Sequence, residues 1–401
     1  MPALVSDQIY QFTAPLESRF WPWFMGVAIR HAMPYVWGIE SVEIRGAERL
    51  RRSIDAKHGI LIAPNHCRPC DPMVLTALAN ELGVPPYIMA SGHLFRNPRL
   101  RWILPRVGAF SVNREGMDRE SLKCATHLLS EAKRPLVVFP EGVITRTNDR
   151  VIHLQDGVAF LARQAAKMMQ KKEGKVVIHP LAIRYRHVGK DLISMVTVID
   201  RMERRFGWQP TQQSIQQRLV RLGHGLLSLK EIEYFGIAQQ GSVEERLTRF
   251  MDRVLLPMER EFLAGKAEGS VVMRVKNLRK ALLPGMVGGE LEDEERERRW
   301  KLLFDLEVAQ QAYHFPPDYI AQNPSTERLM ETVERYEEAL GLKPVVHRPM
   351  QAVLTVGEAI EVGPRRETGD ADSLMEMLRR RLQDLLQSDP HKSWDDGVRL
   401  H

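Results

Sequence analysis

Two residues with acid–base chemistry lie close together in residues 65–71, which read NHCRPCD. His66 and Asp71 fall between an apolar run typical of a strand, GILIAP, and a run typical of a helix, DPMVLTALANEL. Functional side chains of α/β proteins collect where strands end. An imidazole exchanges protons near neutral pH, and a carboxylate beside it fixes the tautomer. This setting, more than the spacing itself, makes the pair a candidate site.

Each of these two residues also has an ordinary structural role open to it. Asp71 precedes Pro72 at the start of the helical run, where an aspartate often caps the helix. Capping uses one carboxylate oxygen and leaves the other for His66. His66 could equally be satisfied by hydrogen bonds within a loop. The sequence leaves these alternatives open.

Three more segments place polar residues near apolar runs. FPEG, residues 139–142, ends the strand-like run LVVFP, and GAFSVNREG, residues 108–116, presents Arg114 after an apolar stretch. VVIHPLAI, residues 176–183, is itself strand-like. A guanidinium suits bidentate binding of phosphate, although a surface salt bridge is the alternative use of Arg114.

The four segments together resemble a known family. NHCRPCD, GAFSVNREG, FPEGVITR and VVIHPLAI occur in the order and approximate spacing of the four sequence blocks of the glycerolipid acyltransferases, which include 1-acylglycerol-3-phosphate acyltransferase. NHCRPCD carries the H-x4-D motif of that family. The resemblance runs from about residue 42 to about residue 187, and the segment VLTVGEAIEV with the final helix is similar to the family's C-terminal end.

The resemblance implies an enzyme of phospholipid biosynthesis or remodelling. It would move a fatty acyl group from a thioester donor, acyl-CoA or acyl-ACP, to a hydroxyl of a glycerolipid or lysophospholipid acceptor. His66 corresponds to the general base, and Asp71 would hold its tautomer and stabilise the imidazolium. The donor is then a co-substrate, and neither a further cofactor nor a metal ion is expected.

The resemblance also implies a set of substrate-binding residues. By correspondence with the family these are Arg114, Glu141, Gly142, Arg146 and Pro180, with the proline shaping the donor site. The third block departs from the family's Glu-Gly-Thr-Arg-Ser, because Val143 and Ile144 shift Thr-Arg by two positions. Arg146 is expected to substitute for the displaced arginine. The altered block leaves open which lipid is the acceptor.

Other classes of function compete with this interpretation. Cys67 and Cys70 form a C-x-x-C between a strand and a helix, which resembles a thioredoxin-type thiol site. Zinc binding through the same cysteines and a histidine lacks a clear second pair of ligands. A catalytically inactive lipid-binding scaffold of the same fold is the remaining alternative. Nucleic-acid binding is not expected, since no known motif for it is present.

Composition describes an ordinary folded chain of 401 residues, with 44% hydrophobic and 27% charged residues. Disordered, collagen-like and disulfide-rich classes are therefore excluded. Residues 1–200 carry 27 Lys and Arg against 18 Asp and Glu, whereas the remainder carries 30 against 33. The basic half indicates an anionic partner. Three cysteines and no evident secretory signal favour the cytoplasm.

The segment 19–40 is the candidate for membrane contact. It holds Trp21, Trp23 and Trp37, but charged residues and prolines interrupt its apolar run, so a conventional transmembrane helix is not expected. Tryptophan favours the interface between headgroups and acyl chains. We expect a peripheral protein on the inner face of a membrane. Packing of these aromatic residues over the protein's own core is the alternative.

Hydrophobic periodicity predicts an α/β fold with a mainly parallel sheet flanked by helices, as the resemblance also implies, together with a large helical insertion. Four parts are expected. Residues 1–41 form a membrane-interfacial helical segment, and 42–200 form the α/β domain. Residues 201–350 are the helical insertion, and 351–401 supply a strand and a helix that return to the α/β domain.

Overall fold

A computed structural model describes residues 10–113, 118–170, 174–189, 192–209, 211–266, 268–286, 291–322, 324–365 and 372–388. Its strands form one sheet. They are β1 (Ile39–Arg45), β2 (Gly59–Pro64), β3 (Tyr87–Ser91), β4 (Ala109–Val112), β5 (Leu136–Val137), β6 (Val176–His187), β7 (Met350–Val356) and β8 (Ile360–Glu361).

The sheet is mainly parallel, and the predicted α/β class is confirmed. Its order is β1-β7-β6-β2-β5-β3-β4, with β8 paired to β6. Neighbouring strands run parallel except at β6, which pairs antiparallel with both β7 and β8. The late strand β7 therefore lies inside the sheet, between β1 and β6.

Strand β2 shows why the apolar run before His66 folds as it does. Ile60 and Ile62 contribute to the core on one face of the sheet, while Leu61 and Ala63 contribute to the core on the other face. A strand covered on both faces needs apolar residues at every position rather than at alternate ones. The continuous run GILIAP meets this demand.

Helices cover the two faces of the sheet and continue beyond it. Their bounds are α1 (Phe20–Val36), α2 (Ala47–Asp55), α3 (Asp71–Leu82), α4 (Pro98–Arg106), α5 (Arg119–Glu131), α6 (Gly157–Met169), α7 (Ile193–Arg205), α8 (Ile215–Phe235), α9 (Val243–Phe262), α10 (Val271–Leu282), α11 (Asp293–Tyr313), α12 (Thr326–Ala339) and α13 (Ser373–Gln387). The cores place α5, α6 and α13 on one face and α2, α3, α7 and α12 on the other.

The described residues between β6 and β7 form only helices as regular structure. Helices α9, α10 and α11 enclose a hydrophobic core of their own. Helix α12 instead joins the main core, through side chains such as Leu329 and Val333. Helix α7 crosses the expected boundary at residue 200, so the helical region adjoins the α/β domain without a break there.

Helix α1 packs on α3, where the backbone at Gly26 approaches the Asn80 side chain closely. Trp21 packs its ring against Trp102 of α4, with ring centroids 5.3 Å apart. Trp37 packs against the main core, and Trp23 is exposed. Among the helices formed by described residues, none combines the length and the apolar character needed to cross a membrane.

Candidate active site

His66 follows the end of β2, and Asp71 is the first residue of α3. His66 Nδ1 lies 2.7 Å from Asp71 Oδ2. The Asp71 side chain is fully buried, whereas that of His66 is 12% exposed. Since a carboxylate has no proton to give, a neutral imidazole in this bond carries its proton on Nδ1. Its Nε2 is then free to accept a proton from another molecule.

The Asp71 carboxylate does not cap α3, so the capping interpretation was wrong. Cys70 occupies the cap position, and no side chain caps the helix there. The loop uses the carboxylate instead, because the Arg68 backbone N–H donates to Asp71 Oδ2 at 3.0 Å. The Cys67 thiol lies 3.8 Å from Asp71 Oδ1. Asp71 therefore organises the loop that carries His66.

Tyr185 is a member of this site that the sequence analysis missed. It lies on β6, is buried, and donates its hydroxyl to Asp71 Oδ1 at 2.7 Å. A tyrosine in a buried strand needs a hydrogen-bond partner for its hydroxyl, and this need is the signal that could have pointed to Tyr185. Nothing local in the sequence shows that this partner is Asp71.

Two buried asparagines extend the hydrogen bonding of the sheet at the same edge. Asn65 donates to the Ile183 carbonyl at 3.0 Å and accepts from the Ile183 N–H at 2.7 Å. Asn148 does the same to Tyr185, at 2.7 Å and 2.6 Å. These amides pair with the strand as a backbone would, and they fix the loops beside β6.

The segment that follows β5 holds the backbone of His66 on both sides. The His66 N–H donates to Glu141 Oε1 at 2.7 Å. The His66 carbonyl accepts from the Thr145 N–H at 2.8 Å and from the Thr145 hydroxyl at 3.1 Å. Burial, with a smaller contribution from the nearby Asp71 charge, raises the pKa of the Glu141 carboxyl to about 8, although the hydrogen bond from the His66 N–H lowers it in part. Glu141 is thus brought to His66, as a support of its backbone.

Gly142 and Pro180 lie next to this arrangement. Gly142 has a φ of +71°, and a Cβ there would collide with the Gln155 side chain, so a residue other than glycine would disturb the turn. Pro180 is buried inside β6, paired with Ala63, and its carbonyl accepts from the Gly357 N–H at 2.8 Å. Its observed contacts are those of a strand residue.

The Arg146 side chain is engaged by helix α12. Its guanidinium is buried and donates to Glu334 Oε2 at 2.7 Å and to Glu338 Oε1 at 2.6 Å, both on α12. These carboxylates occupy two of its three nitrogen atoms, so the expected replacement of the displaced family arginine is not supported. Arg114 lies outside the described residues.

The two cysteines of the loop have the wrong environment for thiol redox chemistry. Both are free and buried, and burial raises the pKa of the Cys67 thiol well above its ordinary value and that of Cys70 to about 11. Reactive redox thiols need the opposite shift, because the thiolate is the nucleophile. Among the described residues, no group of three or more His, Cys, Asp or Glu is arranged to hold a metal ion.

Comparisons with known proteins agree with this geometry. The sequence profile of the acyltransferase family, described as "Acyltransferase", matches residues 41–184. A Bacillus subtilis (strain 168) protein named 1-acyl-sn-glycerol-3-phosphate acyltransferase is 29% identical over 156 residues, which are 38% of this chain and 69% of that protein. The resemblance to this family is confirmed. The profile match spans His66 and Asp71 and ends before α12.

Proposed function

Because residues 41–184 form a domain of the acyltransferase family, we propose that the protein transfers a fatty acyl group from acyl-CoA or acyl-ACP to a hydroxyl of a glycerolipid or lysophospholipid. The name of the Bacillus subtilis relative supports an acceptor built on glycerol phosphate. The observation that carries the proposal is the 2.7 Å contact between His66 Nδ1 and the fully buried Asp71 carboxylate.

The proposed reaction needs only groups of the protein and its two substrates. His66 Nε2 takes the proton of the acceptor hydroxyl while that oxygen attacks the thioester carbonyl carbon. The tetrahedral intermediate then collapses, the carbon–sulfur bond breaks, and the departing sulfur takes the proton from the imidazolium. Asp71 stabilises the imidazolium between these steps. The products are the acyl ester and the free thiol.

Charge recognition of the acceptor is proposed for Arg114. Its place in the second block and the bidentate fit of guanidinium to phosphate support this role. Arg146 is left out of the proposed binding set, because Glu334 and Glu338 already engage it. Glu141 and Gly142 are proposed to act by shaping the turn beside His66.

A membrane surface is the proposed source of the lipid. Exposed aromatic side chains collect on α1 and α4: they are Phe20, Trp23, Phe24 and Trp102. Arg99 and Arg101 of α4 are exposed, and Arg106 stacks over the Trp102 ring at 3.9 Å. An aromatic surface with arginines suits the boundary of an anionic leaflet. This supports a peripheral protein on the inner face of a membrane.

The test is a transfer assay with purified protein. Labelled acyl-CoA and acyl-ACP are offered with glycerol 3-phosphate and a panel of lysolipids, and products are read by mass spectrometry. We expect a labelled ester, and a fall in kcat of about 10²- to 10⁴-fold for His66→Ala. His127→Ala, an exposed histidine of α5, is the matched control. A well-folded wild type without product on any acceptor would support the inactive scaffold instead.

A further inference from the structure

Helix α12 is unusually polar for a buried helix. Its buried side chains include ionisable ones, which are Glu327, Arg328, Glu331, Glu334 and Glu337. Burying a charge is costly unless it is paired and hydrogen-bonded. The partners of these side chains therefore indicate what the helix does.

Glu334 joins two segments that are far apart in sequence. Its Oε1 accepts from Arg68 Nη1 at 2.6 Å, and its Oε2 accepts from Arg146 Nη1 at 2.7 Å. Burial raises the pKa of Glu334, but the two guanidiniums outweigh this and lower it below its ordinary value. An ionised carboxylate thus bridges the loop of His66 and the segment after β5.

Other residues of α12 hold the second of these segments directly. Arg335 donates to the carbonyls of Thr145 and Arg146. Glu331 accepts from the Asn148 backbone N–H at 3.2 Å. Together with Glu334, these contacts tie residues 145–148 to one face of the helix.

Both tied segments contact the catalytic pair. Thr145 donates two hydrogen bonds to the His66 carbonyl, and the Arg68 N–H donates to Asp71. Glu334 therefore bonds one supporting residue directly, which is Arg68, and bonds the neighbour of the other, because Arg146 follows Thr145. The path from α12 to the imidazole combines these hydrogen bonds with the covalent bonds of Arg68 on one side and of Thr145 and Arg146 on the other.

From these contacts we propose that Glu334 is a positioning residue of the active site, which holds His66 and Asp71 in register through Arg68 and Arg146. The inference rests on the proposed acyl transfer, which it deepens. It gives the helical region a function, since α12 completes a site whose reacting residues lie in the first part of the chain. Positioning errors of about 1 Å can lower turnover a hundredfold.

The experiment compares Glu334→Gln with Glu231→Gln. Glu231 is a matched control, because it is fully buried on α8 and forms a two-bond ion pair with Arg246, at 2.8 Å and 2.7 Å. Its contacts are with α9 and with the Gln239 backbone. The melting temperature is measured for both variants. Their kcat and KM are then measured at a temperature where both are folded.

We expect kcat to fall about tenfold to a hundredfold in Glu334→Gln, with KM for donor and acceptor within about threefold of wild type. Glu231→Gln keeps its kcat even if its melting temperature falls equally. Amide hydrogen exchange supplies a readout independent of turnover. It should quicken in residues 65–71 and 141–149 in Glu334→Gln and stay unchanged there in the control.

Each outcome has a distinct meaning. Wild-type kcat and unchanged exchange in Glu334→Gln overturn the positioning role and leave acyl transfer standing. An inactive wild type, with faster exchange in Glu334→Gln, rejects the proposed function and keeps the tie between α12 and the loops. If Glu334→Gln does not fold, Arg68→Gln/Glu334→Gln removes both charges of one bridge and is measured in its place.

Discussion

The Tyr185 hydroxyl donates to Asp71 Oδ1 at 2.7 Å, while Asp71 Oδ2 bonds the His66 imidazole at the same distance. The Asp71 carboxylate is thus held by Tyr185 of β6 through one oxygen and holds the His66 imidazole through the other. Because Tyr185 also pairs with Asn148, the position of Asp71 depends on a strand and a loop outside its own segment. Tyr185 is therefore expected to influence turnover without touching either substrate.

Tyr185→Phe should lower kcat by about tenfold, because Asp71 loses a hydrogen bond and gains freedom to leave His66. Tyr336→Phe is the matched control, since that buried hydroxyl donates to the Leu219 carbonyl at 3.0 Å. Steady-state kinetics of both variants decide the matter. Equal kcat values in the two would show that the Tyr185 hydroxyl serves stability alone.

The double variant Cys67→Ala/Cys70→Ala should retain transfer within about tenfold of wild type, a change of about 1.4 kcal/mol in barrier. Both thiols are buried with a raised pKa, so neither is poised to react. Some loss of stability is expected from the small cavities. Cys124→Ala, on α5, is the control. Complete loss of transfer in a folded double variant would revive thiol or metal chemistry.

Local patterns were enough to predict β2, α3 and the approach of His66 to Asp71. The run before His66 is apolar at every position and predicts where β2 ends, and Pro72 predicts where α3 begins. The sequence therefore predicts that His66 and Asp71 are joined by a short loop between the strand and the helix. The capping prediction for Asp71 failed because its oxygens bond three other groups, His66 and the Arg68 N–H in the same loop and the Tyr185 hydroxyl on β6. Such competition is a property of the folded chain.

Arg146 shows what the sequence could not predict. The shift of Thr-Arg by two positions was visible, but its consequence depended on Glu334, which is 188 residues away in sequence. Arg146 also has a φ of +53°, so the backbone turns at that residue. Tyr185 and Asn148 were not predicted for the same reason. Their partners are set by tertiary packing, which the local hydrophobic periodicity of the sequence does not show.

Arg114→Ala should raise the acceptor KM more for a phosphate-bearing acceptor than for an uncharged one, because a lost guanidinium removes charge-assisted bonds to phosphate. The donor KM should change less. Arg119→Ala, an exposed arginine of α5, is the control. Kinetics with glycerol 3-phosphate and with monoacylglycerol provide the comparison. A defect of equal size for both acceptors would contradict the phosphate grip.

Trp23→Ala should weaken binding to anionic vesicles by about tenfold, because it removes an exposed indole that is proposed to enter the membrane interface. Arg99→Gln/Arg101→Gln should weaken vesicle binding more at low salt than at high salt. Phe304→Ala, a half-exposed aromatic residue of α11, is the control. Sedimentation with vesicles of phosphatidylcholine and phosphatidylglycerol measures the effect. Unchanged vesicle binding by Trp23→Ala would show that the membrane-contacting surface lies elsewhere on the protein.

Stability should depend on pH through the buried carboxyls of Glu331 and Glu141. Burial raises the pKa of each to about 8, chiefly by penalising the charged form. An unfolded glutamate loses its proton near pH 4.5, so between pH 4.5 and 8 the folded state binds more protons than the unfolded state. The free energy of unfolding therefore falls as pH rises through this window, by up to about 1.4 kcal/mol per pH unit for each group.

Glu331→Gln should flatten this dependence, because an amide has no proton to lose while its oxygen can still accept from the Tyr319 hydroxyl, which lies 2.5 Å from Glu331 Oε2. Urea unfolding at pH 5, 6, 7 and 8 measures the slope in wild type and variant. Glu245→Gln provides the control, since that exposed capping carboxylate has a lowered pKa and leaves the buried groups intact. Identical slopes in wild type and Glu331→Gln would show that Glu331 is ionised in the fold. The tie between α12 and Asn148 would then be a bond to a carboxylate instead of a carboxylic acid.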